Sequence, residues 1–322
     1  MPTLLLSAPY MIPFMDRFGP IFEKYGFEMI RPEVEERLEE AELLDYAGKY
    51  DGVICGDDRF TRKVIKASTP RLKVISKWGT GIDSIDQGAC KEYGVMIRNT
   101  PNAFTEPVAD SVFGYMLNFA RQHTGMDRAM KEGVWKKISG RALRECTLGI
   151  IGIGKIGRAL VKRALPFGIK VLGNDIREID PEFIKTYDLE MVELKDLLSR
   201  ADYVSINCDL NSTSRHLIDK SALSMMKPEA VLINTARGPI VDERALVEAL
   251  REGIIAGAAM DVYEFEPLPG DSELREFSQV LLAPHNANSS PQAWERVHWN
   301  TIKNLLDGLE IDYEINERGE IL

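Results

Sequence analysis

Short apolar runs alternate with longer stretches whose apolar positions recur every three or four residues. In the first part of the chain, Leu4 to Ser7, Gly52 to Cys55, Lys73 to Ser76 and Val95 to Arg98 read as strands, with helix-length amphipathic stretches between them. This alternation predicts a parallel sheet covered by helices. From Phe104 to about Arg121 the apolar residues keep helical spacing behind the turn residues Asn99, Thr100, Pro101 and Asn102, so a long helix is expected to leave a first domain here.

A second series begins at Thr147, with strands expected at Leu148 to Ile151, Lys170 to Leu172, Tyr203 to Ile206, Val231 to Ile233, Ile255 to Ala258 and Val280 to Leu282. That many strands suit a doubly wound nucleotide-binding domain. After Pro291, Ala293 to Leu309 reads as a helix, and the tail Asp312 to Leu322, too short for a domain, is expected to return onto the first one. The fold class is therefore α/β: two Rossmann-like doubly wound parallel-sheet domains, with the cleft between them as the expected site.

Composition narrows the function. The 322 residues are 44% hydrophobic and 28% charged, which is ordinary for globular domains. A net charge of -10 without a basic block disfavours nucleic acid as a partner. No stretch approaches about 18 uninterrupted apolar residues, and the first residues lack a basic and apolar leader, so a cytoplasmic protein with no membrane partner is expected. Cys55, Cys90, Cys146 and Cys208 are widely spaced and form no C-x-x-C pair, so neither a disulfide framework nor a zinc site is expected.

The segment from Thr147 carries an apolar strand, then Gly152, Gly154 and Gly157 in G-x-G-x-x-G spacing, then a helical pattern from Lys155 to Leu165. Gly152 permits the tight turn, Gly154 a close approach of backbone to a diphosphate, and Gly157 close packing of helix on strand. Asp175 follows the next strand about 20 residues on, where a carboxylate accepts hydrogen bonds from an adenosine ribose. Its charge repels a 2'-phosphate, which favours NAD over NADP. Arg177 reads as a solvated loop arginine.

Three further strand ends carry polar chemistry. Arg237 lies in the run Asn234-Thr235-Ala236-Arg237-Gly238-Pro239; a guanidinium there grips a carboxylate with two parallel hydrogen bonds, or else pairs a surface acid. His285 follows the last strand and, alone of His123, His216, His285 and His298, sits in such a loop among small polar neighbours. Imidazole is the usual group for moving a hydroxyl proton near neutrality. Glu266 against His285 would stabilise the imidazolium and orient the ring; Glu264 competes locally and otherwise reads as solvated.

These residues resemble the D-isomer-specific 2-hydroxyacid dehydrogenase family, which includes phosphoglycerate dehydrogenases, hydroxypyruvate and glyoxylate reductases and D-lactate dehydrogenases. The resemblance spans nearly the whole chain. It rests on Gly152-Ile153-Gly154-Lys155-Ile156-Gly157, Asn234-Thr235-Ala236-Arg237-Gly238, Asp261-Val262-Tyr263-Glu264-Phe265-Glu266-Pro267 and Ala283-Pro284-His285-Asn286-Ala287. It implies hydride transfer between NAD and a small D-2-hydroxy acid such as phosphoglycerate, hydroxypyruvate, glyoxylate or D-lactate. By it, Arg237 anchors the substrate, Glu266 tunes the histidine and His285 exchanges the proton. Asp261 holds the nicotinamide carboxamide, while Lys155, Ile156, Cys208, Thr235, Ala236 and Ala287 line the cofactor. The segment Lys77-Trp78-Gly79-Thr80 resembles the family loop whose backbone amides hold the substrate carboxylate, with Thr80 near the cofactor. The resemblance also implies a substrate domain of residues 1–98 with 291–322, an NAD-binding domain of residues 99–290, and a homodimer formed through the latter.

Two departures matter. Where phosphoglycerate enzymes place an arginine after the second strand of the first domain, this chain has Cys55, Gly56, Asp57 and Asp58, and two acids disfavour a phosphate. Lys77 matches a basic position in some of those enzymes, which keeps phosphoglycerate open, although their longer forms carry a regulatory C-terminal domain that has no counterpart here. Asp209 stands where many members have a proline. The alternative reading is a non-catalytic NAD(H)-sensing module that docks partner proteins, since fold alone does not settle function. The joint presence of Arg237, Glu266 and His285, and the lack of a long disordered tail, favour catalysis. The chain has neither a tyrosine followed four residues later by lysine nor an H-E-x-x-H run, so a tyrosine-lysine pair and a metal are not expected.

Overall fold

In a computed structural model covering residues 1–322, the chain forms two compact units, Met1–Ala103 with Ser290–Leu322, and Phe104–Ser289. The first unit holds a five-stranded parallel sheet of β1 (Thr3–Leu6), β2 (Glu28–Ile30), β3 (Gly52–Cys55), β4 (Val74–Lys77) and β5 (Met96–Arg98), in the order β2-β1-β3-β4-β5. β1, β3 and β4 are buried along their length, as strands covered on both faces must be. The edge strand β2 escapes a reading of apolar runs because its three residues, led by Glu28, are partly exposed.

The helix Pro291–Gly308 belongs to this unit. Ser290 caps it and Pro291 takes the first turn, where a missing N–H costs nothing. It lies hard against the sheet: a methyl at Gly52 would come 2.6 Å from Leu305, and one at Gly308 would overlap Val74. Ser76 Oγ donates to the Thr301 carbonyl at 2.7 Å. The tail follows it, with Lys24 Nζ and Tyr25 Oη donating to the Leu322 carbonyl at 2.7 and 3.1 Å.

The second unit holds a seven-stranded parallel sheet of β6 (Thr147–Ile151), β7 (Lys170–Asn174), β8 (Glu190–Met191), β9 (Tyr203–Ile206), β10 (Val231–Asn234), β11 (Gly257–Met260) and β12 (Val280–Leu282). Its order, β12-β11-β10-β9-β6-β7-β8, is doubly wound and reverses at β6 and β9. β11 begins two residues later than Ile255 suggests: Ile255 is buried in the approach turn, and the Ala256 amide bonds to the Ala230 carbonyl at 2.9 Å. The two-residue β8 is too short to leave a periodic signal.

Candidate active site

β6 runs into Gly152, Ile153 and Gly154 and then the helix Lys155–Phe167. Gly152 has φ +94°, and a methyl there would come 2.7 Å from the Cys208 amide nitrogen; only glycine tolerates both. A methyl on Gly157 would overlap the Gly152 carbonyl oxygen, so helix and turn touch backbone to backbone. Above Gly154 the space is open except for Arg177, 3.8 Å away, and the first helical turn with Lys155 and Ile156 begins beside it. Two buried polar atoms at neighbouring strand ends have no hydrogen-bond partner: Asn207 Oδ1 after β9 and Thr235 Oγ1 after β10. Orphaned atoms of this kind are costly unless something polar meets them. The close turn, the open helix start and the two orphans together fit a dinucleotide.

Asp175 directly follows β7. Its Oδ2 accepts the Ile153 amide at 2.7 Å, tying the carboxylate to the glycine turn. Arg177 is solvated as expected, its side chain 66% exposed, and it also closes on the acid, with Nε to Oδ1 and Nη2 to Oδ2 each at 3.1 Å. The turn brings the arginine back over the acid two residues before it. Burial opposes ionisation of Asp175, and the Arg177 and Ile153 donors outweigh it, so its pKa lies below the ordinary value.

Arg237, Glu266 and His285 follow β10, β11 and β12, which are adjacent in the sheet. His285 Nδ1 lies 3.0 Å from Glu266 Oε2, and Glu266 Oε1 accepts the Tyr263 amide at 3.0 Å. Glu264 is not free in solvent as the sequence suggests: its Oε1 meets His216 Nε2 at 2.8 Å and accepts the Glu243 amide at 3.4 Å, while its own amide donates to Glu243 Oε2 at 3.1 Å. His285 has φ +51°, uncommon for a residue with a side chain. The strained turn is held by the His285 amide donating to the Asp261 carbonyl at 2.7 Å. Below it, the Asp261 carboxylate accepts the amides of Asn286 and Ala287 at 2.8 and 2.9 Å. Asp261, expected to meet a carboxamide, is 1% exposed and spends its carboxylate on this loop. Burial raises its pKa against the pull of the two amides.

Asn234 was not singled out by the sequence argument. Fully buried at the end of β10, it accepts the Ala236 amide at 3.1 Å and donates to the Arg237 carbonyl at 2.9 Å, shaping the arginine's turn. Asparagine at a strand end before a tight turn was the available signal. Arg237 is half-buried, and its Nη1 donates to the Ala236 carbonyl at 2.8 Å. A methyl at Gly238 would overlap the Tyr263 backbone, so the turn of Arg237 and the loop of Glu266 are packed together.

In the first unit, Lys77 Nζ lies 3.1 Å from Asp57 Oδ1 and donates to the Trp78 carbonyl at 3.1 Å. Trp78 is not placed to offer its amide to a ligand, because that amide donates to the Cys55 carbonyl at 2.8 Å. Its indole donates to His298 Nδ1 at 3.0 Å, and its ring packs on Tyr10 and Trp294. Burial drives the pKa of His298 down to about 4, which keeps it neutral as the acceptor. The Gly79 carbonyl takes the amide and hydroxyl of Thr100, each at 2.9 Å. The exposed Thr80 donates its hydroxyl to the Thr100 carbonyl at 3.0 Å.

Residues 113–287 match the family model described as D-isomer specific 2-hydroxyacid dehydrogenase, NAD binding domain. The chain is 39% identical over 273 residues to a glyoxylate reductase of Thermofilum pendens, covering 82% of this chain and 80% of that one. It is 36% identical over 285 residues to a D-3-phosphoglycerate dehydrogenase of Methanocaldococcus jannaschii, covering 88% of this chain and 52% of that protein. Among solved structures, a D-lactate dehydrogenase from Aquifex aeolicus complexed with NAD and lactic acid superposes with a TM-score of 0.84 at 26% identity, covering 99% of this chain and 98% of that one.

Proposed function

Because the chain belongs to the D-isomer-specific 2-hydroxyacid dehydrogenase family, and is an NAD-dependent oxidoreductase of that class, we propose that Arg237, Glu266 and His285 are its catalytic residues. The observation that carries this reading is the 3.0 Å contact of His285 with Glu266 at adjacent strand ends. In the reductive direction Arg237 grips the carboxylate of a small 2-oxo acid with its fork of N–H groups and polarises the neighbouring ketone oxygen. The hydride to the carbonyl carbon would come from NADH held at the glycine turn. His285 gives the proton on Nε2 to the oxygen, and Glu266 at Nδ1 fixes the ring and offsets the charge of its imidazolium form. The oxidative direction runs the same proton back.

Gly152, Gly154, Lys155, Ile156 and Gly157 cradle the diphosphate, Asp175 takes the adenosine ribose, and Cys208, Thr235, Ala236 and Ala287 line the cofactor. Asp261 positions the 285–287 loop. By the family resemblance, Lys77 and Gly79 take part in substrate binding and Thr80 contributes to cofactor binding.

The chain works as a homodimer built on the nucleotide-binding unit. Exposed apolar side chains on and after the helix His123–Lys131 support this: Met130 is 51%, Val134 47% and Trp135 85% exposed. A cytoplasmic location suits four cysteines that are all free thiols.

The test is NADH oxidation with glyoxylate, hydroxypyruvate and pyruvate. His285→Ala is expected to lower kcat by roughly 100-fold or more with NADH affinity nearly intact. Wild-type kcat in that variant would remove His285 from the mechanism.

A further inference from the structure

Within the second unit, the connection between β9 and the helix Lys220–Met225 starts against the glycine turn and ends beside the turn of Arg237. It ends in a short ladder. The His216 amide donates to the Pro239 carbonyl at 2.9 Å, the Ile218 amide to the Ile240 carbonyl at 3.1 Å, and the Asp242 amide back to the Ile218 carbonyl at 3.0 Å. Ile218, Ile240 and Val241 are fully buried, which fixes this part of the connection to the core. His216 joins the ladder at φ +51°, a conformation that histidine and asparagine adopt more readily than most residues with a side chain. Its ring reaches the neighbouring loop, with Nε2 2.8 Å from Glu264 Oε1.

That neighbouring loop carries Glu266. Phe265, between the two acids, is 69% exposed, so its side chain does not anchor the loop. Glu264 does: it is held between His216 on one side and Glu243, the first residue of the helix Glu243–Arg251, on the other. Two residues on, Glu266 Oε2 meets His285 Nδ1. The His216 and Glu264 side chains are 42% and 24% exposed, and a pair so open to water adds little to stability. A misplacement of roughly 1 Å between reacting groups, by contrast, costs as much as about 100-fold in rate. The contact therefore weighs little in the fold and heavily in the geometry of the loop.

We infer that His216 is a positioning residue: with its amide on Pro239 and its imidazole on Glu264, it clasps the loop of Glu266 to the turn of Arg237 and so holds Glu266 in register with His285. The inference rests on the functional reading above and adds to it a residue that touches neither substrate nor cofactor.

The test replaces His216 by asparagine, which accepts the same backbone conformation while its amide ends one bond short of the Nε2 position. His216→Asn is expected to melt like the wild type and to bind NADH within about two-fold of it, while kcat for glyoxylate falls by about 10-fold and the isotope effect from deuterated NADH grows. Glu264→Ala, which opens the clasp from the other side, is expected to lose as much, and the double variant no more than either single one. Glu264→Gln still offers an oxygen to His216 and keeps the clasp closed. Proton NMR of the free protein, with His285 assigned from His285→Ala, follows the Nδ1 proton shared with Glu266, which is expected to shift in His216→Asn. Wild-type kcat with an unmoved Nδ1 proton overturns the inference, as does a loss of kcat that only tracks a loss of melting temperature. Should His216→Asn fail to fold, Glu264→Ala carries the same readouts. A wild type that reduces no 2-oxo acid would sink the functional reading, and the Nδ1 proton would still decide this one: a shift in His216→Asn supports the clasp and no shift refutes it.

Discussion

His285 and Glu266 meet at 3.0 Å, whereas Glu264, two residues earlier on the same loop, turns away to His216 at 2.8 Å. Two carboxylates in one short loop thus have separate partners, and only one touches the candidate acid. Glu266→Gln keeps the shape but removes the charge that offsets imidazolium. It is expected to lower kcat for 2-oxo acid reduction by roughly 10- to 100-fold, with NADH affinity little changed. Glu264→Gln is expected to stay within a few-fold of wild type. Stopped-flow turnover of the two variants decides; a larger loss in Glu264→Gln would reverse the assignment.

Gly157 offers a steric test of the nucleotide turn. A methyl there overlaps the Gly152 carbonyl oxygen, a backbone atom that cannot step aside without moving the turn. Gly157→Ala is expected to cost roughly 1–3 kcal/mol of stability and to weaken NADH binding together with it. Thermal melting and fluorescence titration read the two losses; a variant that melts and binds as wild type would mean the turn is slack.

Asp175 and Arg177 make the adenosine end a balance of charges. Asp175→Ala removes the expected ribose acceptor and releases a guanidinium that is 66% exposed. NADH is then expected to bind roughly 10-fold more weakly, about the worth of one hydrogen bond to a charged group, while NADPH gains relative to it. Removing Arg177 as well is expected to cancel the NADPH gain. Dissociation constants for both cofactors across the three proteins check this, and an unaltered preference in Asp175→Ala counts against the ribose role.

Reading the strand ends from sequence located these groups because each sits directly after an apolar run: Asp175 after β7, Arg237 after β10, His285 after β12. Partner choice was less legible. Nothing near position 264 signals a histidine 48 residues earlier, and nothing near Ser7 signals Asp58. Such pairings follow from strand order, which single-sequence periodicity does not encode. The edge strands β2 and β8 were missed for a related reason: half-exposed segments of three and two residues carry too few apolar positions to show a period. Arg177 adds a pairing that residue type does not signal: its side chain is exposed as expected, yet it also meets Asp175 two residues before it.

Asp58 supplies a pH signature of its own. Burial pushes its pKa up to about 6, against the pull of the Leu38 amide and Ser7 hydroxyl. An unfolded aspartate titrates near its model value of 3.8. Between those values the folded chain holds a proton that the unfolded chain has released, so stability falls as pH rises through this window. The stabilising share of Asp58 is therefore present near pH 4 and gone by pH 7. Buried His298, lowered from 6.5 to about 4, works the other way: the unfolded chain binds the extra proton, so its share is lost as pH falls. The two oppose each other in the wild type, which hides both in a simple stability profile. Asp58→Asn separates them, because the amide can still accept from Leu38 and donate to Ser7 while it does not titrate. Relative to wild type, Asp58→Asn is expected to gain about 2 kcal/mol between pH 4.5 and pH 7.5, read from urea unfolding at each pH. A difference that stays flat across that range, or grows toward acid, would show that the carboxyl at the β1 and β3 ends is ionised in the folded chain throughout.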